Sequence, residues 1–344
     1  MYFIGVDHHK QASVMTVLDE GGREQKSGRV ANRRGEVEQF LEGCRPFRAV
    51  LEAGRSSYVM ADLLRELGGE VVMANPLELR AIAHARIKTD ERDSRILAEL
   101  LRGGLIPEVY QRGEGNRQAQ RVMRLRAHWV AKQTEVRNKI RALLAQQREE
   151  VRLEVERHDA GLFSGKGLAM LSRLRLGGPD QGLLEDLLQG HGEIQAHIKK
   201  TDGVVAALHA ELEDAARIDT IPGFATTLSV LVAVEIADIR RFRRPADLHA
   251  YAGVIPSTHA SGERTLHGHI TKQGSGWLRW AVVEAVYPAI RKDLGLLGLY
   301  KRLVHRKGPN VAKIAVARRL LTIIFRVLSE KRDYLPGSSP SSAA

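Results

Sequence analysis

Acids stand where short apolar runs stop in the first hundred residues, and that placement limits the folds open to this part of the chain. YFIGVD ends on Asp7, RAVLEA reaches Glu52, and KTDERDS opens a helical stretch with Asp90 and Asp93. A carboxylate closing a strand buried on both faces is costly unless it is paired or holds a cation. Asp90 and Asp93 are three apart and share a helix face, with Thr89 as the expected N-cap and Ile96, Leu97, Leu100 and Leu101 as the buried side beyond. Taken alone, the pair is explained by the helix dipole, and Glu52 by a strand-end surface position. All four together point to a hard divalent cation, Mg²⁺ or Mn²⁺, held by carboxylate oxygens. Such ions can clamp the attacking and leaving oxygens of a phosphodiester.

The runs that carry these acids predict an α/β region over residues 1–110. Strands are expected at YFIGVD, ASVMTVLD, around SGRVAN, at RAVLEA and at EVVMANP, the last stopped by Pro76. Helices are expected at GEVEQFLEGC, at SSYVMADLLREL with Ser at its start, at LELRAIAHARI and at ERDSRILAELLR. The order βββαβαβα implies a mixed sheet with helices on its faces. The chain as a whole is expected to be α/β plus α.

Residues 111–215 read as a long helical, coiled-coil middle. From 114 to 148, Val122, Leu125, Trp129, Val136, Ile140 and Leu143 recur at steps of three, four or seven, an apolar stripe of coiled-coil type. Residues 112–148 hold ten Lys/Arg against two acids, whereas 180–215 hold eight acids against two lysines. Opposed charge of this kind can pair the two helices or set the register of a dimer; two solvated faces explain it equally well. GLFSGKG lacks the spacing of a phosphate loop. Residues 216–334 form a further, mostly helical region. It contains the IPG turn at 221–223, of a kind that brings backbone N–H groups to phosphates, and four arginines within 240–244. PGSSPSSAA, within a 335–344 tail, is expected to be disordered.

The formal charge of +12 over 344 residues favours a polyanionic partner. A single cysteine, Cys44, excludes a disulfide framework and a cysteine-based zinc site, and fits a reducing cytoplasm. The first residues do not read as a signal peptide, and no uncharged apolar run is long enough to span a membrane. No membrane partner is expected.

A second constellation lies in AYAGVIPSTHASGERTLHGHITKQGSGWLRW. Ser261 precedes Gly262, with His259, His267 and His269 nearby and Arg264, Lys272 and Arg279 around it. A hydroxyl among cations can attack phosphorus if its proton is removed and developing charge is met by donors. A serine in a Gly-rich loop is, however, far more often a turn residue, and the histidine spacing is not a zinc pattern.

The two constellations on one chain resemble the IS-one-ten family of insertion-sequence transposases, the bridge-RNA-guided DNA recombinases, over roughly residues 2–330. The residues that carry the resemblance are Asp7 in IGVD, Glu52 in LEAG, Asp90 and Asp93 in KTDERD, ANP after the last strand, IPG, AYAGVIP, Ser261-Gly262 and KQGSGWLR. The resemblance implies a RuvC-like (RNase H fold) N-terminal domain with a DEDD tetrad, and a C-terminal transposase domain whose nucleophile is Ser261. It implies Mg²⁺ or Mn²⁺ on the tetrad, a phosphoserine intermediate, and partners comprising donor and target double-stranded DNA and a structured noncoding guide RNA. It also implies a homodimer that forms a dimer of dimers, in the bacterial cytoplasm on the nucleoid. His259 stands about where many members carry a tyrosine, and the match leans toward the IS-eleven-eleven subgroup. Candidate nucleic-acid contacts are Arg117, Arg121, Arg124, Lys132, Arg137 and Arg141 on the long basic helix, then Arg241, Arg243, Arg244, Arg264, Lys272 and Arg279.

Three other readings compete. A RuvC-type structure-specific endonuclease needs only the tetrad. A non-enzymatic nucleic-acid-binding protein needs neither constellation. A sugar-kinase-like ATPase can open on IGVD, but it leaves the positive charge unexplained and lacks a later Gly-rich nucleotide loop.

Overall fold

The computed structural model describes residues 1–54, 56–82, 89–261 and 264–335, without the side chains of residues 159, 258–261 and 264–267. The chain forms two compact units, Met1–Arg112 and a second that begins at Gly113. No described helix is long and apolar enough to cross a membrane.

The first unit is a five-stranded mixed sheet, β1 (Tyr2–His8), β2 (Ala12–Leu18), β3 (Glu24–Ala31), β4 (Phe47–Glu52) and β5 (Glu70–Ala74), in the order β3-β2-β1-β4-β5. The first three strands form an antiparallel meander, while β4 and β5 add to β1 in parallel. Helices α1 (Arg34–Phe40), α2 (Ser57–Glu66), α3 (Pro76–Ile82) and α4 (Asp90–Arg102) complete it. Side chains alternate across a strand, and the two faces have separate cores. Ile4, Val6, Ala49 and Leu51 pack with Val37, Met60 and Leu64 of α1 and α2. Val50 and Val72 pack with Leu79, Leu97 and Leu101 of α3 and α4. Part of the expected helix LELRAIAHARI, residues 83–87, lies outside the described residues.

The second unit is mostly helical. Its first half holds α5 (Glu114–Ala145), α6 (Glu149–Glu156), α7 (Gly165–Arg173), α8 (Asp180–Glu211), α9 (Glu213–Asp219), α10 (Thr226–Ile236) and α11 (Pro245–Tyr251). A two-stranded hairpin follows, β6 (Pro256–Ser261) and β7 (Arg264–Ile270), and then α12 (Gly276–Glu284), α13 (Val286–Lys292), α14 (Leu294–Lys307) and α15 (Pro309–Ser329). α5 and α8 pack antiparallel: Arg126 meets Asp202, Trp129 stacks on His197 at 4.3 Å, and Gln147 donates to Asp180 at 2.7 Å. Opposed charge contributes to this pairing through the Arg126–Asp202 ion pair, beside aromatic and neutral polar contacts. Of the expected stripe, Ile140 is buried and Val122, Val136 and Leu143 are partly buried against the helical cores, whereas Leu125 is exposed; Ala119, Met123 and Leu144 are buried beside it. Val205, Ala215, Ile218, Val230, Leu278, Val286 and Leu320 share one core, which runs across the expected boundary at 215/216.

GLFSGKG, already without the spacing of a phosphate loop, leads into α7, which is capped by Ser164, whose hydroxyl accepts from Gly167 N at 3.3 Å. The IPG turn is a packing feature, because a Cβ on Gly223 would lie 2.4 Å from the Ala285 carbonyl oxygen. The stretch around Ser261 is a β-hairpin and not a glycine-rich loop. Residues 336–344 of the tail lie outside the described residues.

Candidate active site

The acids come together because α4 lies almost on the backbone of β1. Gly5 makes this approach possible: a Cβ there would sit 1.8 Å from the Ser94 carbonyl oxygen and 2.6 Å from Ala98 N. A buried hydrogen bond of 2.8 Å between Thr16 of β2 and Ser94 fixes the helix on the sheet. Thr89 caps α4 as expected, accepting from Arg92 N at 3.3 Å. The first turn of α4, carrying Asp90 and Asp93, is thereby brought to the end of β1.

Asp7 lies two residues beyond Gly5 on the same face of the sheet. Glu52 follows Leu51, the partner of Val6 in the β1–β4 register, so it stands one strand over at the same level. It is exposed, and its backbone carbonyl accepts from the Ser57 hydroxyl at 2.7 Å. Among the described residues, Asp7, His9 and Asp90 offer ligand-type atoms within 4.8 Å of one another. The His9 Nε2 lies 3.2 Å from both Asp7 Oδ2 and Asp90 Oδ2. Burial pushes the Asp7 carboxyl above the ordinary aspartate range; His9 opposes the shift, while the charges of Asp90 and Asp93 add to it. The structure thus brings Asp7, Asp90 and Asp93 into one electrostatic field, with Glu52 at its margin.

Two neighbouring histidines were not among the expected site residues. His9 bridges the two aspartates, in the space where a cation would be attracted. His8 lies 2.9 Å from the Ser13 hydroxyl and 3.1 Å from that of Ser56, so Ser56 makes this contact instead of capping α2. Burial, then repulsion by His9, holds His8 below the ordinary histidine range. Crowded carboxylate oxygens, one of them partly desolvated, fit a hard divalent cation.

The second constellation has a well-defined base. Gly253 and Gly274 have φ of +66° and +81°. A Cβ on Gly253 would lie 2.2 Å from the Gln273 carbonyl oxygen, and one on Gly274 would lie 2.2 Å from that of Tyr251. Ser275 N donates to Tyr251 O at 2.7 Å, Lys272 N to Gly253 O at 3.1 Å, and the Arg279 guanidinium to Ala252 O at 3.0 Å. AYAGVIP and KQGSGWLR are thus the two sides of one clamp beneath β6 and β7. Under the clamp, Glu235 is 3% exposed at its side chain. It accepts from Arg124, from Gln120 at 3.2 Å and from the Ser275 hydroxyl at 2.7 Å, and Arg124 stacks over Trp277 at 4.0 Å. Ser261 ends β6, paired in register with Arg264; the side chains of Ser261, His259, Arg264 and His267 lie outside the described residues, as do Gly262 and Glu263.

Several of the expected nucleic-acid contacts have partners within the protein, some buried and some on its surface. Arg117 is 8% exposed and bonded to Glu114, which also takes Arg121. Lys132 pairs with Glu135 and Arg244 with Asp247. Arg241 lies over Phe242 and Tyr251 and donates to the Ile236 carbonyl at 3.1 Å, at the end of α10. Arg137 and Arg141 both lie over Phe163, at 5.1 and 5.0 Å, and Arg243 and Lys272 are exposed.

Both halves of this arrangement match described protein families. Residues 4–148 match a transposase family model, the DEDD transposase of IS110, and residues 215–301 match the transposase model of the IS116/IS110/IS902 family. The chain belongs to this transposase family. Members catalyse DNA strand transfer, and this transposase is an enzyme of that kind. It is 25% identical to a "Probable family 20 transposase" of Pseudomonas aeruginosa, over 97% of this chain and 98% of that one. It is 24% identical to the transposase for insertion sequence element IS1111A of Coxiella burnetii, over 97% and 92% of the two chains. It is 23% identical to the transposase for insertion sequence element IS1328 of Yersinia enterocolitica, over 86% and 88%.

Proposed function

We propose that this transposase joins donor and target DNA through a covalent phosphoserine on Ser261, assisted by Mg²⁺ or Mn²⁺ held by Asp7, Glu52, Asp90 and Asp93. The observation that carries the metal half is the seating of α4 on Gly5, which sets Asp90 against Asp7 with His9 between them. On this reading the first unit is RuvC-like, with its carboxylates at strand ends and a helix start. A bound divalent ion supplies charge stabilisation to the reacting phosphate.

The chain's own residues supply the remaining steps. The Ser261 hydroxyl loses its proton and its oxygen bonds to phosphorus; the bond from phosphorus to the 3′ oxygen breaks, and that oxygen leaves as a protonated 3′ hydroxyl. The clamp of Gly253, Gly274 and Ser275 holds the base of the hairpin that ends in Ser261. Strand exchange then reverses the step on a different 3′ hydroxyl. The resemblance extends this reading to a structured guide RNA that selects both DNAs, and to a dimer that assembles into a dimer of dimers on the nucleoid. Arg137, Arg141, Arg243, Arg264, Lys272 and Arg279 remain its candidates for backbone contact.

The test is a denaturing gel of protein incubated with donor DNA and Mg²⁺. The wild-type chain is expected to leave a covalent protein–DNA band, which Ser261→Ala removes and which Asp7→Asn reduces at least about a hundredfold. If Ser261→Ala still cuts DNA at the wild-type rate, the enzyme is a metal-dependent nuclease and the phosphoserine reading fails.

A further inference from the structure

Within the second unit, two basic regions meet different fates. The cations of α5 are largely answered by acids: Arg117 and Arg121 by Glu114, Arg124 by Glu235, Arg126 by Asp202, and Lys132 and Lys139 by Glu135. From Val286 to Ser329, spanning α13 to α15, ten Lys/Arg accompany one acid, Asp293. That acid is buried and already used: Oδ1 accepts from Leu296 N at 2.8 Å, and Oδ2 takes the Tyr334 hydroxyl.

Among the described residues, Lys301, Arg302, Arg306 and Lys307 have no acidic partner, and all four are exposed on α14. Arg302 and Arg306 are four apart and share a face, with Lys301 and Lys307 to either side. Like charges at this spacing repel one another, and no acid among the described residues pairs with them. Aromatic surface adjoins the cations. Tyr287 of α13, 42% exposed, meets Tyr300 of α14 edge-on at 6.2 Å, and Lys313 of α15 lies 4.9 Å above the Tyr287 ring.

We propose that α14, with Lys313 and Tyr287 beside it, is a surface on which this transposase grips the phosphate backbone of duplex DNA. The basic helix α5, which the sequence favours for that role, has much of its charge neutralised by the fold. A helix of 14 residues is about 21 Å long, the rise of about six base pairs at roughly 3.4 Å each. DNA is the favoured occupant because the family's reaction joins DNA, and because α13 and α15 share the core of α12, the helix capped by Ser275 of the hairpin clamp. Contacts of this kind position the duplex and do not read its sequence. The inference depends on neither the carboxylates nor Ser261.

The test replaces Lys301, Arg302, Arg306 and Lys307 together by Gln in the full chain and measures binding to a duplex oligonucleotide across a salt series. The logarithmic salt slope is expected to flatten by about 3 to 4, near 0.9 for each lost phosphate contact, with affinity at low salt falling about tenfold or more. Arg302→Gln and Arg306→Gln alone should each flatten it by about 0.9, which keeps the test valid if the quadruple variant folds poorly. Lys132→Gln with Lys139→Gln on α5 should change the slope by less than either. An unchanged slope in all the α14 variants overturns the proposal. So does a loss confined to a structured RNA with duplex binding intact.

Discussion

The carboxylate corner and the serine hairpin are built on opposite plans. Asp7, Glu52, Asp90 and Asp93 stand on strand ends and a helix start, and the contact that brings Asp90 and Asp93 to Asp7, α4 on Gly5, lies directly beneath those three. Ser261 stands at the far end of a two-stranded hairpin whose defined fixings, Gly253, Gly274 and Ser275, lie at its base. The comparison teaches where each region is vulnerable. The first is sensitive to sterics at the site itself, and the second to a buried polar network some way from the serine.

The largest expected effect is in the second region. Glu235→Ala leaves Arg124 and the Ser275 hydroxyl without their shared acceptor and should cost about 3–5 kcal/mol, the range for breaking a buried charge pair, read by urea unfolding. Glu235→Gln, which keeps an acceptor oxygen, should cost less; equal losses would show that the charge does not matter there. Next comes Gly5→Ala, which sets a methyl against the backbone of α4. It should cost about 1–3 kcal/mol and remove strand transfer, because the helix cannot shift without carrying Asp90 and Asp93 with it. Retained activity would mean that the acids are not positioned by this contact.

Asp7→Asn should separate stability from activity. Burial and the neighbouring acids disfavour the Asp7 charge, so the variant should unfold no earlier than wild type while losing covalent adduct; earlier unfolding would mark Asp7 as a structural ion-pair partner. The smallest effect concerns His249 of α11, just ahead of the clamp, which lies 3.1 Å from the Thr322 hydroxyl. Burial, and after it Arg318, holds its pKa down to about 4 from 6.5. The unfolded chain takes up this proton below 6.5 and the folded chain only near 4, so stability should fall as pH drops through that window. His249→Gln should flatten that part of the stability–pH curve, and an unchanged curve would mean that another group is responsible.

Much of the first unit was legible in the sequence. Each expected strand appears, Thr89 caps α4, and the acids sit where apolar runs end, because these features depend on neighbours a few residues away. His9, Gly5 and the Thr16–Ser94 bond were not legible, since their partners lie up to about ninety positions along the chain and only the docked helix reveals them. The hairpin at 256–270 was missed because its glycines, serines and histidines lack the β-branched alternation that marks a strand. The ion pairing of α5 was not legible for a related reason: Glu235 and Asp202, which pair with Arg124 and Arg126, lie roughly a hundred residues further on. Counting charges along a segment does not show which of them the fold neutralises.

The seat at Gly5 also bears on the order of assembly. β1 is the first element of the chain and α4 the last of its unit, so Asp90 and Asp93 meet Asp7 only when a loop of more than eighty residues has closed. Long closures of this kind come late, after local structure has formed. A nascent or partly folded chain therefore keeps its acids apart, and the charge cluster appears only with the finished sheet.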